Sequence, residues 1–186
     1  DVTVITPVFL EGASAPEFYV GSRGHHADIG GTTPGSMPPF STTIQEEGVQ
    51  INNFKLVAKG VLQESAMLAL LSGGAYPSRN PSQNMADLRA QLAANEKGVQ
   101  ELTKMVAEFG LEVVQAYMGH VQDNAEESVR RVITRLRNGV FTLPLDNGAQ
   151  IQVAVRVDAE NRSAEIDFTG TSPQQTNNFN APTAVC

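Results

Sequence analysis

Cysteine is nearly absent from this sequence, since the only one, Cys186, is the last of the 186 residues. A single thiol forms no disulfide inside the chain and no thiolate metal cluster, so a reducing compartment is expected and we predict a cytoplasmic location. No apolar run approaches the roughly 20 residues that a membrane helix needs, so no membrane partner is expected.

Basic residues are also few. Lys and Arg together number 13 against 20 Asp and Glu, and the formal net charge is −7. A protein that binds nucleic acid gains affinity by neutralising phosphates with Lys and Arg, so we expect no nucleic-acid partner. The glycine-rich stretch 30–35 lacks the Gly-Lys-Ser/Thr ending of a phosphate-binding loop. No nucleotide site is therefore predicted in this chain.

What the sequence does have is the composition of a globular protein, with 41% hydrophobic and 18% charged residues. It begins at Asp1 without a signal-peptide pattern and enters a predicted strand at once. We therefore expect residues 1–186 to be a single fragment of a longer domain.

Three regions are predicted along the chain. Residues 1–60 hold strands and a long loop, residues 61–137 are helical, and residues 138–186 form a β-hairpin followed by a polar tail. The loop, about residues 24–47, is expected to be either functional or disordered, because structureless loops of this length are uncommon in compact domains. Strands are predicted from alternating or β-branched patterns at Asp1–Leu10, Glu17–Ser22, Val49–Val57, Gln150–Val157 and Ser163–Thr169.

The helical region is predicted to form a short helix, Val61–Leu71, and then two long ones. Asn84 is a candidate N-cap of the first long helix, and Gly110 separates it from the second. The apolar residues recur at spacings of three and four, as in a coiled coil, and this predicts an antiparallel hairpin. Its buried side chains are expected to be Leu92, Val99, Leu102 and Val106 against Val114, Met118, Val121 and Val129.

The predicted fold class is therefore α+β, with a mixed or antiparallel sheet built from both ends of the chain and a long antiparallel helical hairpin in the middle. Asn95 interrupts the apolar seam of the first long helix. A buried Asn needs hydrogen-bond partners, so it either forms a polar patch beneath the 24–47 loop or fixes the register of the helices.

Candidate chemistry is concentrated at the two ends of the 24–47 loop. His25, His26 and Asp28 follow a predicted strand, and imidazole and carboxylate are common ligands of divalent metals. One turn of the loop would aim His25 and Asp28 at one point, whereas His25 and His26 need not point the same way. Alternatively, the histidines bond only to neighbouring backbone. Glu47 is a candidate general base or part of a solvated acidic turn.

The segment Ser22–Gly31, SRGHHADIGG, followed by TPGSMPP at 33–39, resembles the signature of the hydantoinase B/5-oxoprolinase family. The stretches 45–48, 87–91, 120–126 and 178–182 resemble it too. The resemblance implies ATP-dependent opening of a five-membered cyclic amide, either 5-oxoproline or hydantoin. It also implies a partner, the hydantoinase A-type half, which binds ATP and activates the amide, so that ATP is not bound by this chain.

The related acetone carboxylases hold manganese in a B-like subunit, and by that resemblance His25 and Asp28 are expected to ligate a divalent metal, manganese or zinc. His26 and Glu47 are the catalytic candidates. Phe40 departs from the family, because some oxoprolinases carry His there.

We expect the intact protein to be a homo-oligomer and this fragment alone to be inactive. The alternatives are a subunit of an acetone-carboxylase-like enzyme and a non-catalytic docking module for the ATP-binding half.

Overall fold

A computed structural model of the chain describes residues 1–35 and 38–183, and its α+β class confirms the prediction. Contacts divide it into two compact units, Asp1–Met105 with the segment from Thr176 onward, and Val106–Gln175. None of the helices in the described ranges is long and apolar enough to cross a membrane. In chain order the elements are β1 (Val2–Val8), β2 (Phe18–Gly24), α1 (Ile44–Glu47), β3 (Val57–Ala58), β4 (Val61–Leu62), α2 (Glu64–Leu71), α3 (Pro81–Phe109), α4 (Leu111–Ile133), β5 (Gly139–Pro144), β6 (Gln150–Asp158) and β7 (Ser163–Asp167).

Within the part of the chain that the structure describes, the strands form three separate antiparallel sheets rather than one. β1 pairs with β2, β3 pairs with β4, and the third sheet has the order β5-β6-β7. The prediction of one sheet built from both ends of the chain is therefore wrong. Each strand pairs with a neighbour in sequence, which requires closing only a short loop and so costs the least conformational entropy. The predicted strand Val49–Val57 is also wrong, since only Val57 enters a ladder.

The core of the first unit lies where α2 and α3 meet β1. Gly98 of α3 lies against β2, because a Cβ at this position would be 2.7 Å from Cγ1 of Val20. Glycine therefore lets the helix approach the sheet. The buried apolar side chains of this core are Val4, Leu56, Met67, Leu71, Met85 and Leu88.

The beginning of α3 differs from the prediction. Asn80, not Asn84, caps the helix, because the Gln83 N–H donates to Asn80 Oδ1 at 3.2 Å. Pro81 occupies the first helical position, where its missing N–H is no loss. Asn84 is therefore inside the helix and fully buried, so its side chain contacts residues outside α3.

The burial predicted for the second helix of the hairpin differs from the burial observed in α4. Val114 is buried, but Met118, Val121 and Val129 are 42%, 67% and 59% exposed, so the expected burial of these three side chains is wrong. Leu92 packs instead against the core of the first unit. The spacing of these residues predicts an apolar stripe along α4, but it does not specify what covers that stripe. The predicted β-hairpin near the end of the chain is confirmed as β6 and β7.

Candidate functional site

Two glycines fix the path of the 24–47 loop. Gly30 and Gly31 have φ angles of +92° and +94°, which favour glycine strongly. A Cβ on Gly31 would lie 2.7 Å from the carbonyl oxygen of Glu47, and one on Gly30 would overlap the carbonyl of Tyr76. The start of the loop therefore lies between the backbone at Tyr76 and the far end of the same loop at Glu47. The Gly31 N–H donates to the Tyr76 carbonyl at 3.2 Å.

Asp28 organises the same loop through hydrogen bonds to both of its carboxylate oxygens. The N–H groups of Gly30 and Arg79 donate to Oδ1 at 2.9 and 3.1 Å. The Gly35 N–H and the Arg79 guanidinium donate to Oδ2 at 3.3 and 2.8 Å. Arg79 also donates to the carbonyl of Gly31 at 2.7 Å. The Asp28 side chain is only 16% exposed, so it ties the loop to the segment that precedes α3.

These contacts determine the ionisation of Asp28. Burial acts to raise its pKa, but hydrogen bonds from the Arg79 backbone, the Gly30 backbone, the Arg79 side chain and the Gly35 backbone outweigh that effect, and the pKa is lowered from its ordinary value. The carboxylate is therefore ionised at neutral pH and pairs with Arg79.

His26 points into the protein. It is 4% exposed, and its Nε2 lies 3.1 Å from Oε1 of Gln91. Its Nδ1 lies 3.0 Å from Nδ2 of Asn84, while the carboxylate of Asp87 is 4.0 Å from Nδ1, beyond hydrogen-bond distance. Both ring nitrogens of His26 are thus held by amide side chains of α3.

His25 has the opposite environment. Its side chain is 62% exposed, and its Nδ1 lies 2.8 Å from Oδ1 of Asp1. His25 and Asp1 line a cleft of about 450 Å³. Glu47, at the far end of the loop, and His26 line it as well. The cleft therefore brings two carboxylates and an exposed imidazole to one cavity.

The adjacent residues Glu46 and Glu47 have different roles. Glu46 forms a capping box with Thr43 at the start of α1. Its carboxylate accepts the Thr42 N–H at 2.6 Å and the Thr43 N–H at 3.3 Å, and these bonds lower its pKa. Glu47 lines the cleft, and the Ser41 hydroxyl donates to its Oε1 at a long 3.4 Å. Glu46 thus stabilises the helix, whereas Glu47 lines the cleft.

His25 and Asp28, the expected metal ligands, lie in different environments, since His25 lines the cleft and Asp28 pairs with Arg79. Within residues 1–35 and 38–183, no three His, Cys, Asp or Glu side chains are grouped so as to hold a metal ion. Both Asp28 oxygens accept hydrogen bonds, and one pairs with Arg79. Phe40 is 87% exposed and offers no ligand atom. The described residues therefore do not make up a metal site by themselves, and the role of His25 and Asp28 as ligands stays a prediction.

Three of the four predicted site residues, His25, His26 and Glu47, thus line one cleft, whereas Asp28 does not line it. The partners that hold these residues were not predicted from the sequence, namely Asp1, Arg79, Asn84 and Gln91. One available signal was the spacing of seven and four residues between Asn84, Gln91 and Asn95, which places three amides on one face of a helix otherwise expected to be apolar.

Known proteins resemble the whole chain. Residues 1–186 match the sequence model of the family described as Hydantoinase B/oxoprolinase. The chain is 43% identical to 5-oxoprolinase 1 of Arabidopsis thaliana, over all of this chain and 16% of that protein. It is 30% identical to the B-type subunit of a putative D-/L-hydantoinase from a Pseudomonas strain, over 82% of this chain and 27% of that protein.

A solved structure also resembles this chain. The crystal structure of an ATP-dependent caprolactamase from Pseudomonas jessenii superposes with a TM-score of 0.72 at 25% identity, covering 94% of this chain and 30% of that one. The chain therefore spans about a sixth of the length of the 5-oxoprolinase it matches and under a third of the caprolactamase.

The ionisation of Asp28 yields a prediction about pH. A lowered folded-state pKa stabilises the fold above the ordinary pKa of the group, and this contribution is lost as the pH falls through the folded-state value. Asp28→Asn should reduce the free energy of unfolding at pH 7, and its difference from the unchanged protein should shrink as the pH falls below 3.8, the ordinary pKa of Asp. Urea unfolding across this range measures it, with the exposed Asp123→Asn as control. A difference that stays constant with pH would contradict the ion pair.

Proposed function

Because the chain belongs to the Hydantoinase B/oxoprolinase family, we propose that it forms part of an ATP-dependent hydrolase that opens five-membered cyclic amides. The observation that carries this proposal is the cleft, which collects Asp1, His25 and Glu47 from the two ends of the 24–47 loop and the start of β1. The identity to a 5-oxoprolinase favours 5-oxoproline over hydantoin as the substrate.

The cleft is suited to hydrolysis rather than to ATP binding. None of the described residues that line it is Lys or Arg, and Asp1 and Glu47 contribute negative charge. Triphosphates are bound by basic side chains or helix N-termini, and the repulsion from two carboxylates opposes them here. We therefore place ATP on a partner, the hydantoinase A-type half, which supplies the activated amide to this cleft. The Pseudomonas relative is named as one subunit of a hydantoinase, and this supports such a partner.

The chemistry follows from the poor reactivity of amides. Phosphorylation of the amide oxygen by the partner makes the carbonyl carbon electrophilic. Glu47 then takes a proton from the attacking water as general base, and His25, oriented by Asp1, gives a proton to the ring nitrogen as the C–N bond breaks. The product is an acyl phosphate, and a second water converts it to the carboxylate and phosphate.

The alternatives receive less support. An acetone-carboxylase-like subunit would add carbon dioxide rather than water, but the relatives and the solved structure named above are a 5-oxoprolinase, a hydantoinase subunit and a caprolactamase. A non-catalytic docking module would have no need of the polar cleft beside the 24–47 loop.

The function is tested with the full-length protein that contains this chain, together with its ATP-binding half. Ring opening should require ATP, release ADP, and be faster with 5-oxoproline than with hydantoin or caprolactam. Chromatography of the ring-opened product and a coupled ADP assay measure both. Ring opening without ATP, or product formation only with added bicarbonate, would contradict the proposal.

The role of Glu47 gives a sharper prediction. Glu47→Gln removes the general base while keeping the size of the side chain, so kcat should fall by about 10²- to 10⁴-fold with little change in KM. Glu46→Gln is the matched control, because Gln also completes a capping box and activity should be retained. Steady-state kinetics of both variants measure this. Equal activity in the two variants would remove Glu47 from the mechanism.

A further inference from the structure

Three buried amide side chains lie along one face of α3 and donate to the backbone around the cleft. Nδ2 of Asn84 donates to the carbonyl of Asp28 at 2.8 Å. Nε2 of Gln91 donates to the carbonyls of Val2 and Ser22 at 2.9 and 3.2 Å. One turn further along, Asn95 makes the same kind of bond to β1, at 3.0 Å from the carbonyl of Val4.

These carbonyls fix which way each amide faces, and so they fix the tautomer of His26. Carbonyl oxygens only accept, so Nε2 of Gln91 faces Val2 and its Oε1 faces His26 Nε2, which must carry the proton. Likewise Nδ2 of Asn84 faces the Asp28 carbonyl and donates to His26 Nδ1, which must be bare. The hydroxyl of Ser78 donates to Oδ1 of Asn84 and locks that orientation.

The same contacts set the direction of the neighbouring His25. The two histidines are consecutive residues directly after β2, and successive side chains of an extended segment point to opposite sides. The amides of α3 hold His26 in the interior at 4% exposure, although it borders the cleft, whereas His25 is 62% exposed and lines the same cleft.

We infer that Asn84 and Gln91 are positioning residues: they hold His26 as its neutral Nε2–H tautomer in the interior and thereby aim His25 into the cleft. His26 is then a positioning residue as well, rather than the catalytic group that its place in the sequence suggested. This inference rests on the proposed function, because it assigns to His25 the face on which the substrate lies.

A purely structural role for the amides would predict something different. Asn95 is as buried as Asn84 and likewise donates to a backbone carbonyl, but the described contacts of its side chain are to Val4 and Thr6 rather than to His26. If the amides of α3 serve only the fold, replacing Asn84 or Asn95 should have the same consequences. If Asn84 positions the site, only its replacement should change the chemistry.

The experiment compares Asn84→Asp with Asn95→Asp in the full-length enzyme. Both variants exchange an amide for a carboxylate and lose a donor to a backbone carbonyl, so both should lower Tm. In Asn84→Asp the new carboxylate replaces the amide that donates to the bare Nδ1 of His26 and to the Asp28 carbonyl, so the ring loses the contact that holds it. We expect kcat to fall by about 10²-fold, as for a small misplacement of a catalytic group, with KM changing less than kcat.

A second measurement does not depend on activity. Diethyl pyrocarbonate modifies accessible imidazoles, and fragment-ion mass spectrometry separates His25 from His26. In the unchanged enzyme and in Asn95→Asp, His25 should react and His26 should be protected, whereas in Asn84→Asp His26 should become reactive. Gln91→Glu, which also loses its donor to Val2 and Ser22, replaces Asn84→Asp if that variant does not fold, and the same two changes are expected.

The outcomes separate this inference from the proposed function. Absence of ring opening by the unchanged enzyme would contradict the proposed function, and the labelling pattern would then still test the burial of His26. An active enzyme in which Asn84→Asp and Asn95→Asp lower kcat equally, or in which His26 reacts as fast as His25 before any substitution, would overturn the inference.

Discussion

The arrangement of the first unit depends on one set of interactions, the hydrogen bonds from the amide side chains of α3 to backbone carbonyls of β1, β2 and the 24–47 loop. A buried carbonyl without a donor costs about 1–3 kcal/mol, a large fraction of the stability of a small unit. Because α3 supplies these donors, moving the helix away from the cleft would break these hydrogen bonds. The close contact at Gly98, where the helix approaches Val20, adds a steric constraint in the same place.

The 24–47 loop is fixed from its other side by charge. Arg79 comes just before α3 and pairs with Asp28, while three backbone N–H groups donate to the same carboxylate. Gly30 and Gly31 let the loop pass close to neighbouring backbone segments, because a side chain at either position would collide with them. The result is a loop with little regular structure that nevertheless presents His25 and Glu47 to one cleft. Catalytic groups must be held in this way if their orientation is to lower a barrier.

Local sequence patterns predicted much of this fold, because they describe interactions between near neighbours. The β-hairpin of β6 and β7, the strands β1 and β2 and the break at Gly110 are such cases. The start of α3 was not predicted by a local pattern, since Asn80 and Asn84 are equally suitable caps by residue type. The side chain of Asn84 bonds instead to His26, 58 residues away. The apolar stripe of α4 indicates a surface suited to burial, but periodicity alone does not identify what it packs against.

Part of the candidate site was predicted from the sequence, and part was not. The two histidines and Glu47 stand out in the sequence because they are polar residues at the ends of a long loop, and they do line one cleft. That His25 and His26 face different environments follows from the alternation of an extended chain. Nothing local indicates that Arg79 pairs with Asp28 across 51 residues, or that Asp1 contacts His25. Those partners are brought together only by the tertiary fold.

We propose that the cyclic amide is opened beside His25 and Glu47. A crystal or cryo-electron microscopy structure of the full-length protein with bound 5-oxoproline would locate the substrate. We expect the lactam to lie in the cleft, with its ring nitrogen within hydrogen-bond distance of His25 and its carbonyl carbon facing Glu47. A substrate bound elsewhere in the protein, with this cleft filled by solvent, would contradict it.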